Sequence, residues 1–219
     1  MHAFVDREDQ KRRFRGLLHE EDWRSITGFK VQLVNTEIRL TKQRKEIVLT
    51  RDTQVSNSEC FNGFIPLDLI PFGDVYRSAV QDGTSFLRDF IGQITIVREL
   101  DTMIDPFLPR NRWNMHNKYI SKIDFMLLDN NGNGLNFRAK GELADKFKRF
   151  WLCYGYTGTN IILLTDWRVV GSDGGINVES VQGISTFDFH PTGHLEVEHF
   201  ENIFLHPTSD DSDVELMDG

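Results

Sequence analysis

The stretch Lys122–Phe150, KIDFMLLDNNGNGLNFRAKGELADKFKRF, decides the fold, because it predicts a strand, a tight turn, a second strand and a helix in succession. Apolar side chains alternate along its first part, at Ile123, Phe125 and Leu127. This period of two predicts a strand with one apolar face. The run 129–134, DNNGNG, is rich in Asn and Gly, which tolerate the positive φ angles of a hairpin turn. Residues 135–139 then form the return strand.

A short helix, residues 142–150, is predicted after Gly141. Its apolar residues Leu143, Phe147 and Phe150 follow one another at spacings of four and three. Such a stripe is typical of a helix that lies on a core. A hairpin that leads directly into this kind of helix predicts the centre of a small, curled β-barrel.

The run 127–147, LLDNNGNGLNFRAKGELADKF, resembles the middle of the oligonucleotide-binding (OB) folds in the large subunit of replication protein A, the eukaryotic single-stranded-DNA-binding protein. The resemblance extends outward in both directions. Ser85–Val97, SFLRDFIGQITIV, resembles the first barrel strand of that family, and Asn160–Val181 resembles the fourth and fifth strands, with a turn expected between them at 171–175. Residues 54–70, QVSNSECFNGFIPLDLI, occupy the place of the family's linker between its first two DNA-binding domains.

This resemblance implies an all-β protein of five-stranded OB-fold barrels with short capping helices. Residues 1–55 correspond to a partial N-terminal OB fold, with strands three to five and a helix. Residues 56–84 are a linker and the segment that leads into the second domain, and residues 85–206 are a complete OB fold. Residues 207–219 form an acidic tail that we expect to be disordered.

The partial N-terminal fold is predicted to hold strands in 26–40 and 45–50. A helix is expected in 6–19, with Phe14, Leu17 and Leu18 facing inward. No residues stand in the place of the family's first two strands. We therefore expect exposed strand edges in residues 1–55, and either marginal stability or pairing with another chain. An incomplete gene is the alternative explanation.

Composition sets the class of the chain. Its 219 residues are 39% apolar and include 17 Phe, which is enough to form hydrophobic cores.

The two cysteines, Cys60 and Cys153, have no metal-type spacing, as expected of a protein in a reducing compartment. No apolar segment is long enough to span a membrane and no secretory leader is recognisable, so we expect no membrane association. The family resemblance implies a location in the nucleus.

The net charge of −8 is unusual for a protein that would bind nucleic acid. Five acidic residues lie in the last eleven, SDDSDVELMDG, and the remainder of the chain still carries −3. Long-range electrostatic attraction of phosphates should therefore be weak. Binding, if it occurs, has to rely on a local cationic groove.

The sequence offers no catalytic motif. It has no G-x-S-x-G, no phosphate-binding Gly-Lys-Ser/Thr loop and no paired carboxylates in a recognisable setting, so we expect no enzyme. The DNNGNG run matches the start of a calcium loop, but Lys140 stands where a bidentate Glu must complete the shell. We expect neither a metal site nor a cofactor.

Single-strand binding requires cations that follow the phosphates and exposed aromatic rings on which bases stack. The resemblance places one stacking aromatic at Lys140 and a second at Ser172 or Asp173, so this chain lacks both. Alternation places Arg138 and Lys140 on the face opposite Phe137 and Ala139. The candidate nucleic-acid-binding residues are Phe4, Arg110, Arg112, Trp113, Lys118, Arg138, Lys140 and Arg168.

These candidates have different expected roles. Phe4 falls at a stacking position of the partial fold, Trp113 could stack a base from a long loop at 101–118, and Arg168 matches an Arg of the family's fourth strand. The resemblance implies single-stranded DNA binding in replication, repair or recombination. Its partners would be single-stranded DNA and other subunits like those of replication protein A. The alternative is a diverged OB-fold protein-interaction module with weak or no nucleic-acid binding.

Overall fold

The computed structural model describes residues 2–19, 22–35, 39–59, 67–75, 87–104, 119–155, 158, 160–172, 175–189 and 191–205. The strands are β1 (Ala3–Val5), β2 (Arg24–Thr27), β3 (Lys30–Leu33), β4 (Lys45–Leu49), β5 (Gln54–Asn57), β6 (Leu87–Val97), β7 (Asp101–Ile104), β8 (Tyr119–Leu128), β9 (Gly134–Lys140), β10 (Ile161–Ser172), β11 (Gly175–Glu179) and β12 (Thr186–Phe189). The helices are α1 (Glu8–Arg15), α2 (Glu142–Tyr154) and α3 (Leu195–Leu205).

Five strands of the C-terminal part pair in a closed ring. β6 pairs with β8, β8 with β9, β9 with β11, β11 with β10, and β10 again with β6. Within this ring β9 and β11 are parallel and the other pairs are antiparallel. This is the strand order of an OB fold, and the all-β prediction is confirmed.

The hairpin prediction is also confirmed. β8 and β9 pair from Lys122↔Lys140 to Leu128↔Gly134. In the turn, the Asp129 carboxylate accepts hydrogen bonds from the backbone N–H groups of Asn131 and Asn133. Gly132 has φ 78°, a conformation that a residue without Cβ adopts at low cost. The carboxylate that resembled a calcium ligand thus serves to close its own turn.

The barrel core is aromatic. Trp167, Phe90, Phe137 and Phe147 are almost fully buried, and the Trp167 indole N–H donates to the Thr186 carbonyl over 2.8 Å. The buried rings lie edge to face or stacked, with centroids 4.4 to 6.3 Å apart. α2 contributes Phe147 to this core, as its apolar stripe predicts, although the helix extends four residues further than expected.

Gly92 lies on β6 where neighbouring chains approach closely. A Cβ at this position would come within 2.9 Å of both the Leu127 Cβ and the Leu128 carbonyl oxygen. The glycine is therefore needed because β6 packs tightly against β8.

Two strand predictions in this part need correction. Residues 101–104 were expected in a loop but form β7, which pairs with the first residues of β8. The predicted turn 171–175 is shorter than expected, because Gly171 and Ser172 continue β10. In both places strand pairing extends beyond the segments in which apolar alternation is visible.

α3 packs on the outside of the barrel. Its Val197 and Phe200 are buried against Ile91 of β6 and against Ile161 and Leu163 of β10. The outer surface of these two strands is thereby covered. None of the helices in the described part of the chain has the length and apolarity that a membrane crossing requires.

The N-terminal part contains a three-stranded sheet in the order β1-β4-β3, in which β1 and β4 are parallel. The same parallel relation joins β9 and β11, the third and fifth strands of the barrel. The proposed domain boundaries remain a prediction. The predicted strand 26–40 is interrupted at Gly28 (φ 69°), and Leu17 is 36% exposed, so its inward placement was wrong.

Among the non-glycine residues that the structure describes, Asp166 alone has a positive φ angle, 60°. It lies at a bulge of β10, where pairing with β6 shifts register. Burial, together with the nearby Asp89 carboxylate, raises the pKa of Asp166. Both carboxylates line a cavity of about 250 Å³ whose charged groups also include Lys42 and Asp68.

We expect Asp166→Asn to stabilise the protein at neutral pH. Asn tolerates the same left-handed backbone and removes a half-buried charge that lies near Asp89. Because the pKa of Asp166 is raised in the folded state, its ionised carboxylate destabilises the native protein at pH values above that pKa. This destabilisation disappears when the pH falls below the ordinary pKa of an Asp side chain, because the carboxyl group is then protonated in both the folded and the unfolded state. The melting temperature should rise by about 1–3 °C at pH 7 and be nearly unchanged near pH 3.5. An equal rise in melting temperature at both pH values would contradict this explanation.

Candidate nucleic-acid interface

The outer surface of β8, β9, β11 and the end of β10 carries a row of charges. Strand register aligns Asp124 with Arg138, Arg138 with Glu179, and Glu179 with Arg168. These side chains point outward because the residues beside them in sequence point into the core: Phe125, Phe137, Val178 and Trp167 are buried. We call Asp124, Arg138, Glu179 and Arg168 the charge row. Its signs alternate from strand to strand.

Arg138 is the centre of the charge row. Its Nε donates to Asp124 Oδ1 over 2.6 Å and its Nη2 to Asp124 Oδ2 over 3.2 Å, a two-bond fork. Its Nη1 lies 3.5 Å from Glu179 Oε1. The hydrogen bond to Asp124 raises the pKa of Arg138, so this guanidinium stays charged at any accessible pH.

Lys140 lies next to the charge row on β9. Its outward placement is confirmed, since Ala139 is fully buried beside it. Its ammonium forms an ion pair with Glu179 Oε2, and its side chain is only 14% exposed. The positive charge of the predicted cationic groove is therefore partly neutralised at these two positions: Arg138 and Lys140 are already paired with carboxylates from neighbouring strands.

A cavity of about 180 Å³ opens beside the charge row. It is lined by Arg98, Asp124, Asn136, Phe137, Arg138 and Asn177. Asn136 and Asn177 are register partners on the parallel strands β9 and β11. Their amides can both donate and accept hydrogen bonds, as recognition of a base edge or a sugar requires.

Arg98, Asn136, Asn177 and Glu179 were missed by the sequence analysis. Alternation alone places Asn136 on the face of Arg138, and Asn177 and Glu179 opposite Val178, so each could have been found on its own strand. Asn136 is brought next to Asn177, and Arg138 next to Glu179, by the parallel pairing of β9 with β11, whose partner residues are about forty positions apart in the sequence. Their register was not predictable from either segment.

The start of β8 adds a further cation and an aromatic ring. Lys122 is the register partner of Lys140 and lies 3.2 Å from Asp101 Oδ2 on β7. Tyr119, three residues earlier, is 60% exposed. Alternation along β8 places the Tyr119 side chain on the face opposite Lys122 and Asp124, so this exposed ring does not extend the charge row. Tyr119 was not among the predicted residues.

The other predicted residues are placed as follows. Phe4 is half-buried on β1, in the N-terminal sheet and not on the barrel face. Arg168 lies on β10 in the charge row. Arg110, Arg112, Trp113 and Lys118 lie outside the described residues, as does Asp173, and of Ser172 only the backbone is described.

Within the described ranges, no three His, Cys, Asp or Glu side chains are grouped so that they could hold a metal ion. The chemistry that the face offers is hydrogen bonding and charge. Guanidinium, ammonium and amide groups bind phosphate, sugar and base edges without a reaction.

Comparison with known proteins gives the same fold. A model of a domain of unknown function, DUF223, matches residues 1–78. The chain is similar to a replication protein A heterotrimer structure bound to single-stranded DNA, with 16% identity and a TM-score of 0.55. That alignment covers 93% of this chain and 43% of the other, so the chain spans less than half the length of that relative. A search of curated proteins gives no significant match.

Two further solved structures are similar at lower scores. The OB domain of Ta0387 from Thermoplasma acidophilum has 14% identity and a TM-score of 0.37, over 59% of this chain and 96% of that one. Fission yeast Pot1 with single-stranded DNA has 9% identity and a TM-score of 0.31, over 82% of this chain and 66% of that one.

Proposed function

We propose that this protein binds single-stranded DNA across the outer surface of β8 and β9. The observation that carries the proposal is the cavity in which Arg98, Arg138, Asn136 and Asn177 converge beside Lys140. In OB folds the surface of the second and third strands, together with the loops at either end, is the usual oligonucleotide site. Here those strands are β8 and β9.

The finer proposal is a role like that of the large subunit of replication protein A. It rests on the quoted sequence runs and on the likeness to a heterotrimer of that protein bound to single-stranded DNA. Such a chain would act in the nucleus, in replication, repair or recombination, as a binding protein and not as an enzyme. Other subunits of the same kind would be its protein partners.

A fluorescence anisotropy titration tests the binding. We expect a labelled oligothymidylate of about 30 nucleotides to bind with a micromolar dissociation constant and to be preferred over duplex. Affinity should fall between about 50 and 200 mM salt, because each contacted phosphate adds about 0.7 to the slope of log K against log salt.

A second candidate function is a protein-interaction module. It is favoured by exposed apolar side chains in and next to β2 and β3: Trp23, Phe29, Val31 and Leu33 are 39 to 69% exposed. Exposed apolar clusters of this kind commonly mark contact surfaces. If the folded protein fails to bind the oligonucleotide at low salt, the first proposal is wrong and the second is preferred.

A further inference from the structure

Glu179 contacts two cations of the candidate interface at once. Its Oε1 lies 3.5 Å from Arg138 Nη1, and its Oε2 is paired with the Lys140 ammonium. The side chain is only 19% exposed, so this carboxylate packs against its neighbours and does not project into solvent. A phosphate that approached Lys140 would meet the negative charge of Glu179 first.

Strand geometry holds Glu179 in that position. Val178 is fully buried in the core, so the next residue on β11 must point outward. Ser180, immediately after it, accepts the Lys140 backbone N–H on its Oγ over 2.9 Å. The carboxylate therefore cannot leave the surface without a break in the pairing of β11 with β9. It can only rotate about its own side-chain bonds.

The two cations depend on Glu179 to different degrees. Arg138 keeps both bonds to Asp124 whether or not Glu179 is present. Lys140, in contrast, has Glu179 as its side-chain partner among the described residues. Loss of the Glu179 charge would thus release Lys140 for another anion while Arg138 stays oriented.

We infer that Glu179 is an internal competitor of nucleic-acid phosphate for Lys140 and Arg138, and that it sets the affinity of the site. The inference rests on the proposed single-strand binding and adds a mechanism that limits it. A phosphate must displace this carboxylate, and the repulsion between the two anions weakens the complex. The opposite role is that of a carboxylate that holds the lysine in the productive position. The two roles predict opposite effects on affinity when the Glu179 charge is removed: a gain if Glu179 competes, and a loss if it positions Lys140.

The test is the isosteric change Glu179→Gln. If Glu179 competes, the dissociation constant for the labelled oligothymidylate should fall about ten-fold at moderate salt. The salt slope should steepen by about 0.7, because one further cation becomes available to a phosphate. Glu198→Gln on α3 is the matched control, because it removes the same charge from an exposed position on the covered side of the barrel. It should change affinity less than two-fold.

A double-mutant cycle tests whether the effect of Glu179 on affinity acts through Lys140. In a Lys140→Gln background, Glu179→Gln should raise affinity by much less than in the wild type, because the cation that it releases is no longer there. Equal gains in the two backgrounds would show a general charge effect and would overturn the inference.

The remaining outcomes separate this inference from the proposed function. Wild-type binding with an unchanged or weaker Glu179→Gln variant overturns the competitor role and leaves single-strand binding intact. Absence of binding by both folded proteins at low salt overturns both. Thermal unfolding of each variant shows that the proteins compared are folded.

Discussion

Phe147→Ala is expected to cost about 3–5 kcal/mol of unfolding free energy, the usual range for a large aromatic removed from a core. Phe147 is fully buried and its ring stacks on Phe125 with centroids 4.4 Å apart. It also contacts Phe187 and Phe189 of β12 at 5.5 and 5.3 Å. Truncation therefore leaves a cavity where α2, β8 and β12 meet. A loss of this size is a large part of the stability of a typical domain.

The matched control is Phe150→Ala, one turn later on the same helix. Phe150 stacks on Phe189 at 5.9 Å but is 37% exposed, so water already reaches part of its ring. Its truncation should cost less than half as much. Denaturant titrations followed by tryptophan fluorescence, to which the buried Trp167 contributes, would measure both. Similar losses for the two variants would mean that α2 does not close the barrel through Phe147.

The hairpin and helix of the barrel were predictable because local chemistry and tertiary packing agree there. Period-two apolar residues, a turn rich in Asn and Gly, and a helical stripe all favour the structure that forms. β7 and the interruption at Gly28 were not predictable in this way. β7 carries no apolar alternation, and its pairing with β8 decides its conformation. Around Gly28 the alternation of Phe29, Val31 and Leu33 indicates a continuous strand, and the positive φ of Gly28 breaks it.

The site was predictable residue by residue but not as an arrangement. Alternation correctly placed Arg138 and Lys140 outward, and family resemblance pointed to Arg168. It could not show that Asp124 and Glu179 would stand beside them, because that depends on the register of three separate strand pairs. A count of cations in the sequence therefore overestimated the positive charge of the groove. The charge that matters is set by which strands become neighbours.

Arg138→Glu is expected to weaken oligonucleotide binding at least 100-fold, or about 2.7 kcal/mol. The change removes the central cation of the charge row and leaves three adjacent carboxylates, from Asp124, Glu179 and the new side chain. Each of them would repel a phosphate on this surface. Arg149→Glu, which makes the same change in charge at an exposed position of α2, is the control and should weaken binding only a few-fold.

Because three neighbouring carboxylates also destabilise the fold, the decisive comparison is with a charge swap. Asp124→Lys combined with Arg138→Glu restores the cross-strand ion pair and the net charge, and moves the cation by one strand. Phosphate contacts respond to charge and carry no base information, so the double variant should recover part of the affinity along with part of the stability, although the introduced carboxylate still faces Glu179. If it recovers stability alone, binding depends on the guanidinium of Arg138 itself, at the mouth of the cavity with Asn136 and Asn177. If Arg138→Glu binds as tightly as the wild type, nucleic acid does not lie on this surface.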